Sequence, residues 1–241
     1  MELNICHIYP DLLNLYGDNG NILCLKHRLE SRDIKANVIE VNMGDKFDPD
    51  QADLIFIGGG QDFEQNILLN DLLGDKQKAI ISAIEQEKTM LAVCGGFQML
   101  GKYYKGIDGS QIDYIGALDF YTQKTNNRMI GNYSFVIDND ITVVGFENHS
   151  GKTYLGETLK PLGVVQKGYG NNGEDGFEGA IYKNTYCTYS HGPVLPKNPK
   201  FADLLIKSAL EKKYGNVDLI ELDDTFENSA HKYVLENYIK N

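Results

Sequence analysis

The 241-residue sequence has no tryptophan and only six prolines, and it is short of positive charge: 23 Lys and Arg stand against 34 Asp and Glu, a formal net charge of −11. That deficit argues against nucleic acid or an anionic membrane surface as the main partner, since both are bound by basic faces. No apolar run approaches the ~18 residues that a membrane span requires. The run from Leu3 to Tyr9 is short and lacks the cationic start and cleavage pattern of a signal peptide. The four cysteines, Cys6, Cys24, Cys94 and Cys187, show no C-x-x-C spacing, so neither a zinc knuckle nor a redox pair is indicated. We therefore expect a cytoplasmic protein with reduced thiols and with no metal or cofactor site. The length and the 42% hydrophobic content suffice for one sizeable core.

What the sequence does hold is Thr-Met-Leu-Ala-Val-Cys-Gly-Gly-Phe-Gln-Met-Leu-Gly at 89–101. Thr89 to Val93 reads as a buried strand, and a helix is expected from Phe97 to about Tyr103. Cys94 then stands on the sharp turn between them, with Ala92 and Gly96 small enough to allow a nucleophile elbow. A helix N-terminus behind a thiol favours the nucleophilic thiolate. The plain alternative is a small buried cysteine at a strand end.

Around this stretch the pattern alternates. Strands are expected at Leu3–Tyr9, Lys35–Val41 (with Val38, Ile39 and Val41 buried) and Asp53–Ile57, and helices at about 21–32, 62–73 and 75–87. Strand–helix alternation at this spacing implies a parallel sheet of flavodoxin-like (Rossmann-like) α/β type, helices on both faces. Ligands of such sheets sit at the carboxyl ends of the strands. Three loops converge there: Tyr16–Asn21, Gly58–Gly60 and Cys94–Gly96. The second half reads as short strands at 133–137, 141–146, 163–166, 179–182 and 186–190 between Asn-, Gly- and Asp-rich turns. Helices are expected at 200–214 and over the tail, 223–241. We expect residues 1–200 to form the main domain and 201–241 a helical extension of it.

A cysteine nucleophile needs a base and an oxyanion hole. Of the five histidines, His7 and His27 lie within a strand and a helix and read as structural, and His231 lies in the polar tail. His149, in a turn after a strand, is a candidate for substrate contact. His191, before Gly192-Pro193 at the end of a strand, is the best base; a surface loop histidine is the alternative. The amide of Gly95 is the first oxyanion donor. The Gly59–Gly60 turn offers the second, with Gly60 as the donor and Gly59 as a substrate contact, since glycine lets backbone approach a ligand closely. Gln98, one helical turn past Cys94, is expected to line the pocket. No Lys-Ser/Thr follows the glycines, which excludes a P-loop.

Phe-Ile-Gly-Gly-Gly, Ala-Val-Cys-Gly-Gly-Phe-Gln-Met-Leu-Gly and a His at a late strand end resemble a class I (triad-type) glutamine amidotransferase domain, over roughly residues 3–199. The family's usual Glu two residues after the His is here Pro193, as in its cobyric-acid-synthase-like branch. What orients His191 is then open: Asp18, whose loop ends the first strand beside the expected site, is the first candidate and Glu147 the second. Further stretches at 13–18, 119–122, 127–128, 144–149, 168–172 and 191–198 are similar to the glutaminase subunits of lipid II isoglutaminyl synthases. The resemblance implies glutamine hydrolysis at Cys94 and His191, with ammonia passed to a MurT-like Mur-ligase-family subunit. That partner would use ATP to amidate the D-glutamate of lipid II in peptidoglycan synthesis. It also implies that Arg128 pairs with the α-carboxylate of glutamine, which a guanidinium fork suits. The alternatives are a corrin-acid amidating subunit, a γ-glutamyl peptidase, and a non-catalytic interaction subunit.

Overall fold

The computed structural model describes residues 1–138 and 140–239. In chain order the elements are β1 (Glu2–Ile8), α1 (Asn19–Glu30), β2 (Lys35–Val41), β3 (Leu54–Ile57), α2 (Asp62–Leu72), α3 (Asp75–Glu85), β4 (Thr89–Val93) and α4 (Gly95–Leu100). Then follow β5 (Tyr103–Lys105), β6 (Gln111–Asp113), β7 (Phe120–Ile137), β8 (Ile141–Leu155), β9 (Gly163–Lys167), β10 (Phe177–Glu178), β11 (Ala180–Tyr182) and β12 (Thr185–Thr188). The last are α5 (Pro199–Tyr214) and α6 (Thr225–Val234).

The first sheet runs β11-β12-β4-β3-β1-β2 and is parallel apart from the β11–β12 pair. Every residue of β3 and β4 is buried, whichever way it points. That is the signature of strands covered on both faces, and it is why they read as unbroken apolar runs rather than alternating ones. Each fully buried Leu, Ile or Phe there contributes about 1.5–3 kcal/mol. At the edge, β2 departs from expectation: Val41 is buried, but Val38 is exposed and Ile39 only half-buried, since a single strand flanks it.

The second sheet, β10-β9-β7-β5-β6 with β8 on β7, was only partly legible as short strands. The β7–β8 pair is a long antiparallel hairpin, with a register shift between Lys124 and Met129. His149 therefore lies inside β8, not in a turn. Tyr103 belongs to β5, and the helix after Cys94 is the six-residue α4, two residues earlier than expected.

The two sheets meet beside the cysteine turn. His191 N–H donates to the Phe146 carbonyl at 2.9 Å, and Phe146 N–H donates back at 3.3 Å. Asn198 clips the same hairpin: its Oδ1 accepts from Val144 N–H and its Nδ2 donates to the Val144 carbonyl. The chain that leaves β12 is thus stitched to β8 where it must present His191.

The C-terminal segment is helical as expected, with residues 240 and 241 outside the described residues. α5 buries Phe201, Ala202, Leu205, Ile206, Ala209 and Leu210. Arg28 on α1 pairs with Asp203 and Asp224 at 2.7 and 2.5 Å, and Arg32 with Asp203 at 2.7 Å. Among the described residues no helix is long and apolar enough to cross a membrane.

Candidate active site

Cys94 adopts φ 47°, ψ −103°, a conformation that costs a non-glycine residue about 1–3 kcal/mol and persists only where the surroundings over-determine it. Three hydrogen bonds do so. Cys94 N–H donates to the Thr188 carbonyl at 2.8 Å, its own carbonyl accepts from Gln98 N–H at 2.9 Å, and Gly96 N–H donates to Gly58 at 3.1 Å. The last contact locks the cysteine turn to the glycine turn after β3. A Cβ at Gly96 would lie 2.7 Å from the Ile57 and Gly58 carbonyls, and one at Gly95 2.5 Å from the Gly60 carbonyl. Both positions must lack a side chain for the turns to interlock.

His191 and Asp18 complete the buried centre. His191 Nδ1 lies 3.6 Å from Asp18 Oδ2, and neither side chain is exposed. Burial alone works against the imidazolium, but the Cys94 sulfur and the Asp18 carboxylate outweigh it and push the His191 pKa up to about 10. Asp18 is itself fixed by accepting the Gly59 N–H at 2.7 Å. Glu147, the other carboxylate considered, points elsewhere: it accepts from Tyr169 and Gly170 N–H and stands 3.8 Å from His149. Pro193 packs against Gly20. The carboxylate facing His191 thus comes from the loop after β1, not from the position two residues past the histidine.

Gly59 has a different place from the one expected. Its N–H serves Asp18 and its carbonyl accepts from Leu15 N–H, so neither is free for a ligand. A Cβ there would lie 2.5 Å from His191 Cε1, 3.1 Å from Asp18 Oδ2 and 3.4 Å from Cys94 Cβ. Its missing side chain is what lets the three groups converge. By contrast, the N–H groups of Gly60 and Gly95 make no hydrogen bond among the described residues, and the two glycines are in close contact, a Cβ on Gly95 falling 2.8 Å from Gly60 N. Two unspent amides next to a sulfur can receive an oxyanion.

A cavity of about 370 Å³ opens in front of Cys94, lined by Gly60, Gln65, Gln98, Arg128, Asn148 and His149 among others. The sequence pointed to Gly60, Gln98, Arg128 and His149. Gln65, Tyr16 and Asn148 had no role assigned from sequence; Tyr16 and Asn148 lie in the stretches 13–18 and 144–149 that carry the resemblance, but what they contact is set by residues distant in the chain. Gln65 Nε2 donates to the Gly60 carbonyl and to Gln98 Oε1, and Gln98 Nε2 donates to Tyr189 Oη. His149 stacks on Tyr189 at 3.7 Å and uses Nδ1 on the Gly151 carbonyl, while its Nε2, 3.8 Å from Glu147 Oε2, has no hydrogen-bond partner among the described residues. Arg128 makes no ion pair among the described residues, and its Nε donates to Asn148 Oδ1. Arg128 thus lines the cavity with its Nε spent on Asn148 and no acidic partner among the described residues, and a guanidinium fork suits a carboxylate.

A parallel α/β sheet carrying a strained cysteine turn, with its histidine delivered from a later strand, is the architecture of the glutamine amidotransferases. The overall fold agrees with two solved structures from Thermotoga maritima. One is described as PurLQS (14% identical, TM-score 0.56, covering 98% of this chain and all of that one), the other as a glutamine amidotransferase (18%, TM-score 0.53, 99% of each chain). Residues 4–199 match the CobB/CobQ-like glutamine amidotransferase domain, and the chain belongs to that family. Two relatives are named as the glutamine-hydrolysing lipid II isoglutaminyl synthase subunit GatD. That of Streptococcus pneumoniae is 46% identical over 89% of this chain and 83% of its own length; that of Staphylococcus aureus is 43% identical over 98% and 96%. A probable cobyric acid synthase of Methanothermobacter thermautotrophicus is 33% identical over 80% of this chain but 39% of its own length.

Proposed function

We propose that this chain is the glutamine-hydrolysing subunit of a lipid II isoglutaminyl synthase. The observation that carries this reading is the likeness to the two GatD subunits over 83% and 96% of their lengths, at identities well above the cobyric acid synthase's. In the mechanism we propose, Cys94 Sγ attacks the side-chain amide carbon of glutamine. The tetrahedral oxyanion is held by the Gly60 and Gly95 N–H groups. His191 gives its proton to the leaving nitrogen as the C–N bond breaks, so ammonia departs and a γ-glutamyl thioester remains. Water, deprotonated by His191, then attacks the thioester and releases glutamate, and the proton returns to the cysteine–histidine pair. Asp18 holds His191 in orientation, Gly59 provides the space in which they meet, and Gln98 lines the pocket. Arg128 takes the substrate α-carboxylate.

The ammonia passes to a Mur-ligase-family partner that binds ATP and lipid II, in the cytoplasm, where that precursor is built. Residues 201–241 are an extension of the same domain, which Arg28 ties at Asp203 and Asp224 and Arg32 ties at Asp203.

The test is reconstitution with a co-expressed Mur-ligase-like subunit, ATP, glutamine and lipid II. The expected product carries an amino group in place of one carboxyl hydroxyl on the D-glutamate, and Cys94→Ala leaves it unformed with glutamine but not with added ammonia. Amidation of a corrin carboxylate instead, with lipid II untouched, would overturn the reading.

A further inference from the structure

The loop after β1 does more than carry Asp18. Tyr16 and Gly17 are two successive left-handed residues, φ 57° and φ 78°, and the first is a bulky side chain in a region that disfavours it. The turn throws the Tyr16 ring over the site. It meets His191 edge-on, centroids 5.1 Å apart, and it meets Phe146 at 6.1 Å. His191 is fully buried, whereas Tyr16 is 44% exposed, so the tyrosine forms part of the outer cover of the histidine.

The Tyr16 hydroxyl is hydrogen-bonded to Asn148 on β8, and Asn148 to Arg128 on β7. The polarity of this chain is fixed by chemistry. Arginine Nε can only donate, so Asn148 must present Oδ1 to it; its Nδ2 must then donate to the tyrosine oxygen. Each amide atom is used in the one sense open to it. The consequence for Arg128 is geometric. Its Nε edge is held by Asn148 while the Nη groups are free of any acidic partner among the described residues. A guanidinium tethered on one edge loses less freedom when the other binds.

We propose that Asn148 and Tyr16 are positioning residues that aim the Arg128 fork at the α-carboxylate of the glutamine substrate and tie that contact to the cover over His191. This rests on the glutaminase reading above. It makes Asn148 a determinant of substrate specificity: a ligand without the carboxylate gains nothing from it.

The experiment uses the full chain and 6-diazo-5-oxo-L-norleucine, a glutamine analogue that alkylates the nucleophile, with adduct formation followed by intact mass over a concentration series. Iodoacetamide, which has no carboxylate, runs in parallel. Asn148→Leu keeps the size and removes both hydrogen bonds; Tyr16→Phe keeps the ring and removes one. The expected result is a rise in the half-saturating analogue concentration of about tenfold for Asn148→Leu and severalfold for Tyr16→Phe, the loss falling there rather than on the maximal rate. Arg128→Leu/Asn148→Leu should be no worse than Arg128→Leu alone, since the two act through one contact. Additive losses in the double variant, no rise in either single variant, or a parallel loss of iodoacetamide reactivity would each overturn the proposal. If the wild type, both alone and with the ligase subunit present, reacts with iodoacetamide but not with the analogue, the glutaminase reading fails, and this inference with it; a wild type that reacts normally while the variants match it overturns this inference alone.

Discussion

Asp18 Oδ2 sits 3.6 Å from His191 Nδ1 in a pocket where neither side chain is exposed, and the same oxygen accepts the Gly59 N–H. One carboxylate oxygen thus serves the histidine and the glycine turn at once. Asp18→Asn retains an acceptor for Gly59 but removes the charge. We expect the His191 pKa to fall from about 10 toward the ordinary histidine range, and glutamine hydrolysis to drop on the order of tenfold or more. An NMR titration of the imidazole reads the first and steady-state kinetics the second. An unchanged titration midpoint would mean that Asp18 is not the orienting group.

Gly59→Ala tests the convergence itself. The added methyl would lie 2.5 Å from His191 Cε1, too close for any real contact, and the backbone on either side is pinned. The histidine must be displaced, so activity should fall at least tenfold while the fold survives. Retained activity, with circular dichroism and thermal midpoint near wild type, would show that the triad tolerates a wider spacing.

Glu178 gives a pH prediction away from the reaction. It is fully buried, accepts from Thr188 Oγ1 and Tyr189 N–H, and leaves Oε2 without a partner. Burial pushes its pKa from 4.5 up to about 7. The folded state therefore keeps a proton that the unfolded chain releases, and stability is lost as pH rises from about 4.5 through about 7. Above that the cost approaches roughly 3 kcal/mol. Glu178→Gln should raise the thermal midpoint more at pH 8 than at pH 5. An equal effect at both would contradict the assignment.

The thiols should separate cleanly. Burial pushes Cys6 up to about 11 and Cys24 up to about 12, and raises Cys187 further. These three should resist iodoacetamide at neutral pH, and peptide mapping should place the first adduct on Cys94. First modification at Cys24, the half-buried thiol of the three, would count against a primed Cys94.

How much of this was legible follows from which contacts are local. The Thr89–Val93 strand, the glycine turn after Ile57 and the cysteine between two small neighbours are short-range features, and the sequence reading located them nearly to the residue. Of the long β7–β8 hairpin only 133–137 and 141–146 were legible, because Gln123 to Asn132 is rich in polar and turn-forming residues that local propensity assigns to a loop. Cross-strand pairing overrides that propensity. The sequence put Asp18 ahead of Glu147 because its loop ends β1 beside the site, but it could not show why Glu147 drops out: the path of β8 beside His191 turns Glu147 toward Tyr169 and leaves Asp18 facing the imidazole. The contacts of Gln65 with Gln98 and of Asn148 with Tyr16 span 33 and 132 residues, and no local pattern encodes such pairings.

The most direct test of the account is whether Cys94 is a glutamine-specific nucleophile. Intact mass after incubation with 6-diazo-5-oxo-L-norleucine, with and without the ligase subunit, should show one adduct. It should map to Cys94, be absent from Cys94→Ala and be suppressed by excess L-glutamine. No adduct under either condition, in folded protein with a reduced thiol, would contradict it and favour a non-catalytic interaction subunit.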